Sequence, residues 1–213
     1  MKEVSNAQVP IIKLRSRESG QKFDLVFYSD IAGSTKVALE LTHKMPEVTP
    51  LTIFVKVFLK ARNLNQVITA GISSYGMMLL VASHCQQLRL SSSEGLSIQE
   101  AQLLVKTNDL QEQAEECKES GLPLSLILLL FFKRYGFDLN SFKLGISEQG
   151  YVSKNSTRGD QWEIQNPENG DLLLVGRTSE IKTAFRFAFH ALLSELKTGS
   201  GGCLKTLFDK IPF

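Results

Sequence analysis

Two stretches, read together, decide the architecture of this chain: KFDLVFY, residues 22–28, and PLTIFVKVFLKARNLN, residues 50–65. In the first, Phe23, Leu25 and Phe27 fall on one face of an extended chain and Asp24 and Val26 on the other, the period of two of a β-strand. In the second the period is three to four. Leu51, Phe54, Val55, Phe58, Leu59 and Arg62 line one side of a helix, and Lys56 and Lys60, four residues apart, share another. A strand that gives way to helices predicts an α+β fold.

Upstream of this pair, Val9 to Leu14 reads as a first strand and Ser19-Gly20 as the turn of a two-stranded hairpin. Downstream of the hairpin the spacing becomes helical from Ser34, with Pro46 and Pro50 marking the entry of the 51–62 helix. The loop from Asn63 to Gly71 closes that helix, and Ser73 or Ser74 can cap a second one running to about Leu88. Residues 89–121 form a polar excursion rich in Ser, Gln and Glu, with a helix expected around Ile98 to Cys117. An apolar helix is expected from Pro123 to Tyr135, ended by Gly136, then short strands near Phe142–Ile146 and Gly150–Val152. NPENGDLLLVGR, residues 166–177, reads as a loop. A last amphipathic helix, about Ser179 to Leu196, turns Ile181, Ala184, Phe185, Ala188, Phe189 and Leu192 inward. The expected domains are residues 1–45, 46–198 and a tail, 199–213, with the TGSGG stretch (198–202) read as flexible.

The 213 residues, 43% of them hydrophobic, suffice for one substantial core or two small ones. The net charge of +2, from 24 basic and 22 acidic residues, provides no bulk cationic field, so any contact with nucleic acid must be local. Cys85, Cys117 and Cys203 lack ligand-like spacing, which predicts inert thiols in a reducing compartment and no zinc. MKEVSNAQVP has no apolar stretch of the secretory kind, and Leu122–Phe132 falls short of the ~20 residues that a membrane helix needs. A soluble intracellular protein with no membrane partner is the expectation.

Several blocks occur in an informative order: AQVPIIKL (7–14), KFDLVFY, PLTIFVKVFLKARNLN, GISSYGMMLLVASHCQQL (71–88), LLLFFKRYGFDLNSFKLGIS (128–147) and NPENGDLLLVGRTSEIKTAFRFAFHAL (166–192). The series resembles the poly(A) polymerases of nuclear RNA surveillance and their uridylyl-adding relatives, within the DNA polymerase β-like nucleotidyltransferases. The last two blocks resemble that family's PAP-associated segment. The resemblance implies the end of a nucleotidyltransferase palm sheet over residues 1–45 and a mainly helical central domain after it. The implied activity is template-independent addition of nucleotides, with ATP as donor, to an RNA 3′ end.

The resemblance also assigns residues. Asp24, on its own a solvent-facing strand aspartate, matches the third catalytic carboxylate, which in a two-metal site holds Mg²⁺ or Mn²⁺. Lys56 and Lys60, otherwise a solvated helix face, match lysines that reach the triphosphate. Ser73 and Ser74, otherwise a helix cap, match hydroxyls at a phosphate-binding helix start. Tyr75 matches the platform on which the base stacks. In the 166–177 loop, Asn166 stands where the family carries an aspartate, and Asp171 is the substitute nucleotide contact. Arg177 either touches ligand or pins the loop to the final helix.

The family's Gly-Ser turn and D-x-D strand do not precede Asp24, and Gly33-Ser34 has no D-x-D after it. One acid does not hold two metal ions, so the chain is expected to be a fragment of a larger enzyme or a degenerate copy. The alternative function is then an inactive module that binds nucleotide, RNA or a partner. The resemblance further implies nuclear localisation, with the cytoplasm as alternative, and a separate RNA-binding adaptor.

Overall fold

The computed structural model describes residues 2–4, 11–26, 33–92, 122–138, 142–147, 150–155, 161–198 and 203–208. Two compact units divide the chain, Met1–Lys36 and Val37–Phe213. The expected division at 45/46 thus lies nine residues further on. Helix α1 (Gly33–Lys44) accounts for the difference, because Val37, Ala38 and Leu41 pack on the core of the second unit.

The first unit is a three-stranded antiparallel sheet of β1 (Lys2–Val4), β2 (Ile11–Arg15) and β3 (Lys22–Val26) in that order. The expected hairpin is β2–β3, with Lys13 opposite Asp24 and Leu14 opposite Phe23. Strand β1 is an addition to the sequence reading; three residues are too few for alternation to register. Ser16 N–H donates to Gln21 O at 2.8 Å across the turn, and Gly20 supplies a left-handed residue at φ +67°. Phe23 and Leu25 are exposed, and Phe27 lies outside the described residues.

The second unit carries the buried core. Helix α2 (Val48–Lys60) buries Leu51, Val55, Phe58 and Leu59, as its spacing predicted. Pro50 sits in its first turn, where no intrahelical N–H bond is lost. Helix α3 (Ser74–Ser92) runs one turn past the expected end, and the rest of the polar excursion, including the expected 98–117 helix, lies outside the described residues.

Helix α4 (Leu124–Lys133) does not stop at Gly136 but passes into a π-helical turn, Arg134–Asp138. Gly136 serves close approach instead. A Cβ there would lie 3.1 Å from the backbone nitrogen of Arg186, whose Nε donates to Gly136 O at 2.7 Å.

A four-stranded sheet in the order β5-β4-β6-β7 is formed by β4 (Phe142–Ser147), β5 (Gly150–Asn155), β6 (Trp162–Gln165) and β7 (Leu172–Val175). The first pair was expected. The second pair corrects the reading of residues 166–177 as a loop, for they are a tight turn followed by a strand. Four-residue strands, one of them the unalternating LLLV, carry no period that separates strand from loop or helix. Strand β6 pairs parallel to β4 and antiparallel to β7, and Trp162, Glu163 and Ile164 are all buried.

Helix α5 (Thr178–Thr198) buries Ile181, Ala184, Phe185, Ala188 and Phe189. Its Phe185 ring meets Phe132 at 5.3 Å and Phe131 at 5.5 Å. Of TGSGG, read as flexible, residues 199–202 lie outside the described residues. Cys203–Phe208 forms helix α6, Leu207 is fully buried, and Phe208 packs edge-on against Phe54 at 5.7 Å. Arg62 fastens it, donating from Nη2 to Leu207 O at 2.8 Å with its guanidinium 3.8 Å from the centre of the Phe58 ring.

Candidate nucleotide site

Gly71 makes the start of α3 possible. A Cβ there would come within 2.4 Å of Leu64 O, the same carbonyl that accepts Ile72 N–H at 3.1 Å. This closure folds the chain back from the end of α2, where Lys60 sits, to the start of α3. Ser73 is the N-cap: its Oγ accepts Gly76 N–H and its carbonyl accepts Met77 N–H, each at 2.9 Å. The next residue, Ser74, is exposed, and the first turn holds no acid. The first-turn amides of α3 and its positive dipole end are therefore not neutralised by a carboxylate of the same turn, which suits an anion. Lys56 and Lys60 are both exposed on α2.

Tyr75 connects this helix start to the β6–β7 turn. Its hydroxyl donates to Asn166 Oδ1 at 3.0 Å, and the same oxygen accepts Glu168 N–H at 3.1 Å. Partial burial, and then the nearby Glu168, hold the Tyr75 hydroxyl above the ordinary phenol range. Asn166 is thus the turn residue that meets Tyr75. Asp171 is exposed and braces the turn from within: its Oδ2 accepts Asn169 Nδ2 at 2.7 Å and its carbonyl accepts Asn166 N–H at 2.8 Å. Gly170, at φ +76°, completes the turn.

Arg177 resolves the alternative posed by the sequence in favour of pinning. Its Nε donates to Glu180 Oε1 at 2.9 Å, Nη2 pairs with Glu180 Oε2, and Nη1 donates to Asn63 O at 2.9 Å. Its backbone N–H and that of Gly176 both donate to Ala70 O at 3.0 Å. Ala70 and Asn63 hold left-handed φ values of 58° and 54°. The α2–α3 loop therefore grips the segment that leads into α5, and Asn63, Ala70, Glu168 and Glu180 join the site's frame. Asn63 and Ala70 carry no sequence signal, because they act through partners remote in the chain, whereas Glu168 and Glu180 act through near neighbours, Asn166 and Arg177.

Asp24 lies in strand β3 of the first unit. Among the described residues no three His, Cys, Asp or Glu side chains gather as a metal site, so the described residues do not by themselves fit a two-metal centre. No described helix is long and apolar enough to cross a membrane.

No protein-family model matches the chain. In sequence it is 28% identical over 204 residues to the Poly(A) RNA polymerase gld-4 of Caenorhabditis elegans, an alignment covering 88% of this chain and 22% of that protein. It is 29% identical over 150 residues to the Inactive non-canonical poly(A) RNA polymerase protein Trf4-2 of Drosophila melanogaster, covering 69% of this chain and 31% of the relative. A shorter stretch of 86 residues is 36% identical to the Poly(A) RNA polymerase cid14 of Schizosaccharomyces pombe, covering 39% of this chain and 12% of that protein. The chain thus spans between about a fifth and a third of the first two relatives. In fold it matches the polymerase core of TRAMP, a RNA surveillance complex, with a TM-score of 0.65 at 23% identity, over 98% of this chain and 63% of that one.

Proposed function

We propose, for a chain that is similar in sequence and fold to part of the poly(A) polymerase-type nucleotidyltransferases, that its larger unit holds the nucleoside triphosphate for nucleotide addition to RNA 3′ ends. The observation that carries this reading is the Tyr75–Asn166 bond, which joins a helix start free of acids to the turn that the resemblance makes a nucleotide-recognition loop. Lys56 and Lys60 meet the phosphates as ammonium groups, Ser73 and Ser74 present hydroxyls and first-turn amides, and the Tyr75 ring carries the base. Asp171 acts through the shape of the turn.

ATP is the donor expected from the relatives' names, and Mg²⁺ or Mn²⁺ would be held in part by Asp24. When bound, the metal would activate the RNA 3′-hydroxyl and offset phosphate charge. An RNA-binding adaptor and a nuclear location complete the proposal. A second reading is a nucleotide- or RNA-binding module without catalysis. One relative it resembles is itself described as inactive.

Primer extension tests the two readings. This chain with ATP, Mg²⁺ and a labelled RNA primer is expected to show no extension, and extension abolished by Asp24→Ala would overturn that expectation. Nucleotide binding is tested by NMR titration with ATP, which is expected to move the resonances of Lys56, Lys60, Ser74 and Tyr75. Unchanged resonances at saturating ATP would sink the binding reading.

A further inference from the structure

Asn169 and Gly170 stand exposed in the β6–β7 turn as an Asn-Gly pair. In such a pair the backbone nitrogen of the glycine can attack the side-chain carbonyl carbon, Cγ, of the asparagine, because the glycine carries no Cβ to crowd the approach. A bond forms between that nitrogen and Cγ, the bond from Cγ to Nδ2 breaks, and ammonia leaves with the proton that the glycine nitrogen gives up. Water then opens the cyclic imide at one carbonyl or the other, to aspartate or isoaspartate. Water is the only co-reactant, and nothing is oxidised or reduced. The closed turn holds both reacting groups away from this path. Gly170 N–H donates to Asn166 O at 2.9 Å, which engages the attacking nitrogen. Asn169 Oδ1 accepts Asp171 N–H at 3.0 Å and Nδ2 donates to Asp171 Oδ2 at 2.7 Å, so both ends of the amide are anchored on one residue.

We infer that Asn169 is a deamidation site gated by its own turn: the amide survives while the turn is closed, reacts when the turn opens, and its acidic products then oppose reclosure. The opposition follows from the 2.7 Å contact. An aspartate at position 169 puts a carboxylate oxygen where Nδ2 stood, against the carboxylate of Asp171, and an ionised carboxylate only accepts, so no donor remains between the two charges. Isoaspartate adds a methylene to the main chain before Gly170 and displaces the N–H that Asn166 O accepts. Asn166 carries the loss onward, because its side-chain oxygen receives the Tyr75 hydroxyl at 3.0 Å and Glu168 N–H at 3.1 Å. The modification therefore reaches the start of α3 from an exposed residue that touches neither Tyr75 nor α3 by a hydrogen bond of its own. This chemistry belongs to the turn and holds whether or not a nucleotide binds beside it.

The whole chain is incubated at mildly alkaline pH, folded in buffer and unfolded in urea, and conversion at residue 169 is followed by peptide mass spectrometry, with isoaspartate detected by enzymatic methylation. The folded chain is expected to react more slowly than the unfolded one by about tenfold or more, because the rate follows the population of the open turn. Asp171→Ala removes the acceptor of Nδ2 and is expected to narrow that gap by about threefold or more, the scale of one exposed hydrogen bond, each protein being compared with its own unfolded rate so that the intrinsic chemistry cancels. A second arm reads the product. Asn169→Asp is expected to shift the NMR resonances of Tyr75 and of the Asn166 side-chain amide. Adding Asp171→Asn, which exchanges donor and acceptor between the two positions, is expected to bring them back. Both residues are exposed, and the remaining resonances of each spectrum verify the fold. Folded and unfolded rates within about twofold of each other would overturn the gating. Unmoved Tyr75 and Asn166 resonances in Asn169→Asp, or no recovery in the exchanged pair, would overturn the link from residue 169 to α3.

Discussion

Ala70 is the residue where local conformation and site geometry compete most plainly. Its φ of 58° is costly for a side chain with a Cβ, yet its carbonyl takes two N–H donors from residues 176 and 177 and its own N–H donates to Val67 O at 2.9 Å. Three hydrogen bonds over-determine the strained conformation. Replacing Ala70 with Gly relieves about 1–2 kcal/mol of strain and adds about 0.4–1 kcal/mol of freedom to the unfolded chain. Ala70→Gly is therefore expected to stabilise the protein by about 0.5–1 kcal/mol, read as a higher urea midpoint. The same contact predicts a coupling. A Cβ on Gly176 would stand 3.0 Å from Ala70 Cβ, so Gly176→Ala is expected to cost about 1 kcal/mol alone and less in the Ala70→Gly background. Additive costs in a double-mutant cycle would contradict this account.

At the scale of elements, polar atoms tie α3 to its neighbours through backbone carbonyls. His84 donates from Nε2 to Ile127 O at 3.1 Å in α4, and Tyr135, in the π turn, donates to Leu80 O at 3.1 Å in α3. Burial, and then the nearby Arg134, hold the His84 imidazole down at about 3, so the ring is neutral and its hydrogen sits on Nε2. Burial pushes the Tyr135 hydroxyl up to about 12. At the other end of α3, Arg89 clasps Glu47 with two bonds of 2.9 Å and donates to Lys44 O at 3.1 Å. That arginine is half exposed, so Arg89→Ala is expected to cost no more than about 1 kcal/mol. Gly71→Ala should be far worse. Its Cβ would strike a backbone carbonyl at 2.4 Å, and a loss of about 2 kcal/mol or more is expected in denaturant unfolding. Equal costs for the two variants would refute the ranking.

The whole molecule inherits a pH profile from these ties. A histidine whose folded pKa of about 3 lies below its ordinary 6.5 contributes stability that is present above pH 6.5 and lost as pH falls toward 3. A tyrosine raised from 10.0 to about 12 contributes stability that is present below pH 10 and lost as pH climbs toward 12. Tyr75, also raised, adds to the alkaline limb. The expected curve is a plateau between about pH 6.5 and 10, with an acid limb on the order of 4 kcal/mol and an alkaline limb of about 2–3 kcal/mol. Unfolding midpoints measured from pH 4 to 11 check it. His84→Gln, which can still donate to Ile127 O, is expected to flatten the acid limb; an unchanged limb would remove His84 as its cause.

What the sequence determined by itself was whatever repeats within a few residues. The stripes of α2 and α5, the alternation of β3 and the caps and turns around Gly20 and Ser73 are properties of adjacent positions, and helix or strand geometry forces them wherever the chain folds. The order of the resembling blocks carried the nucleotide reading, and with it the choice of Tyr75 and the two lysines. The tertiary structure alone decided the rest. The short strands β1, β6 and β7 exist through pairing with partners and not through any period of their own, and α6 persists because the core beside Phe54 and Arg62 receives Leu207 and Phe208. The bond between Tyr75 and Asn166 spans 91 residues, and the direction of the Asn166 amide depends on a single backbone N–H from the turn that follows it. A hydrogen bond has a sign, donor or acceptor, only once its partners are in place, and for residues so far apart in sequence that place is set by packing.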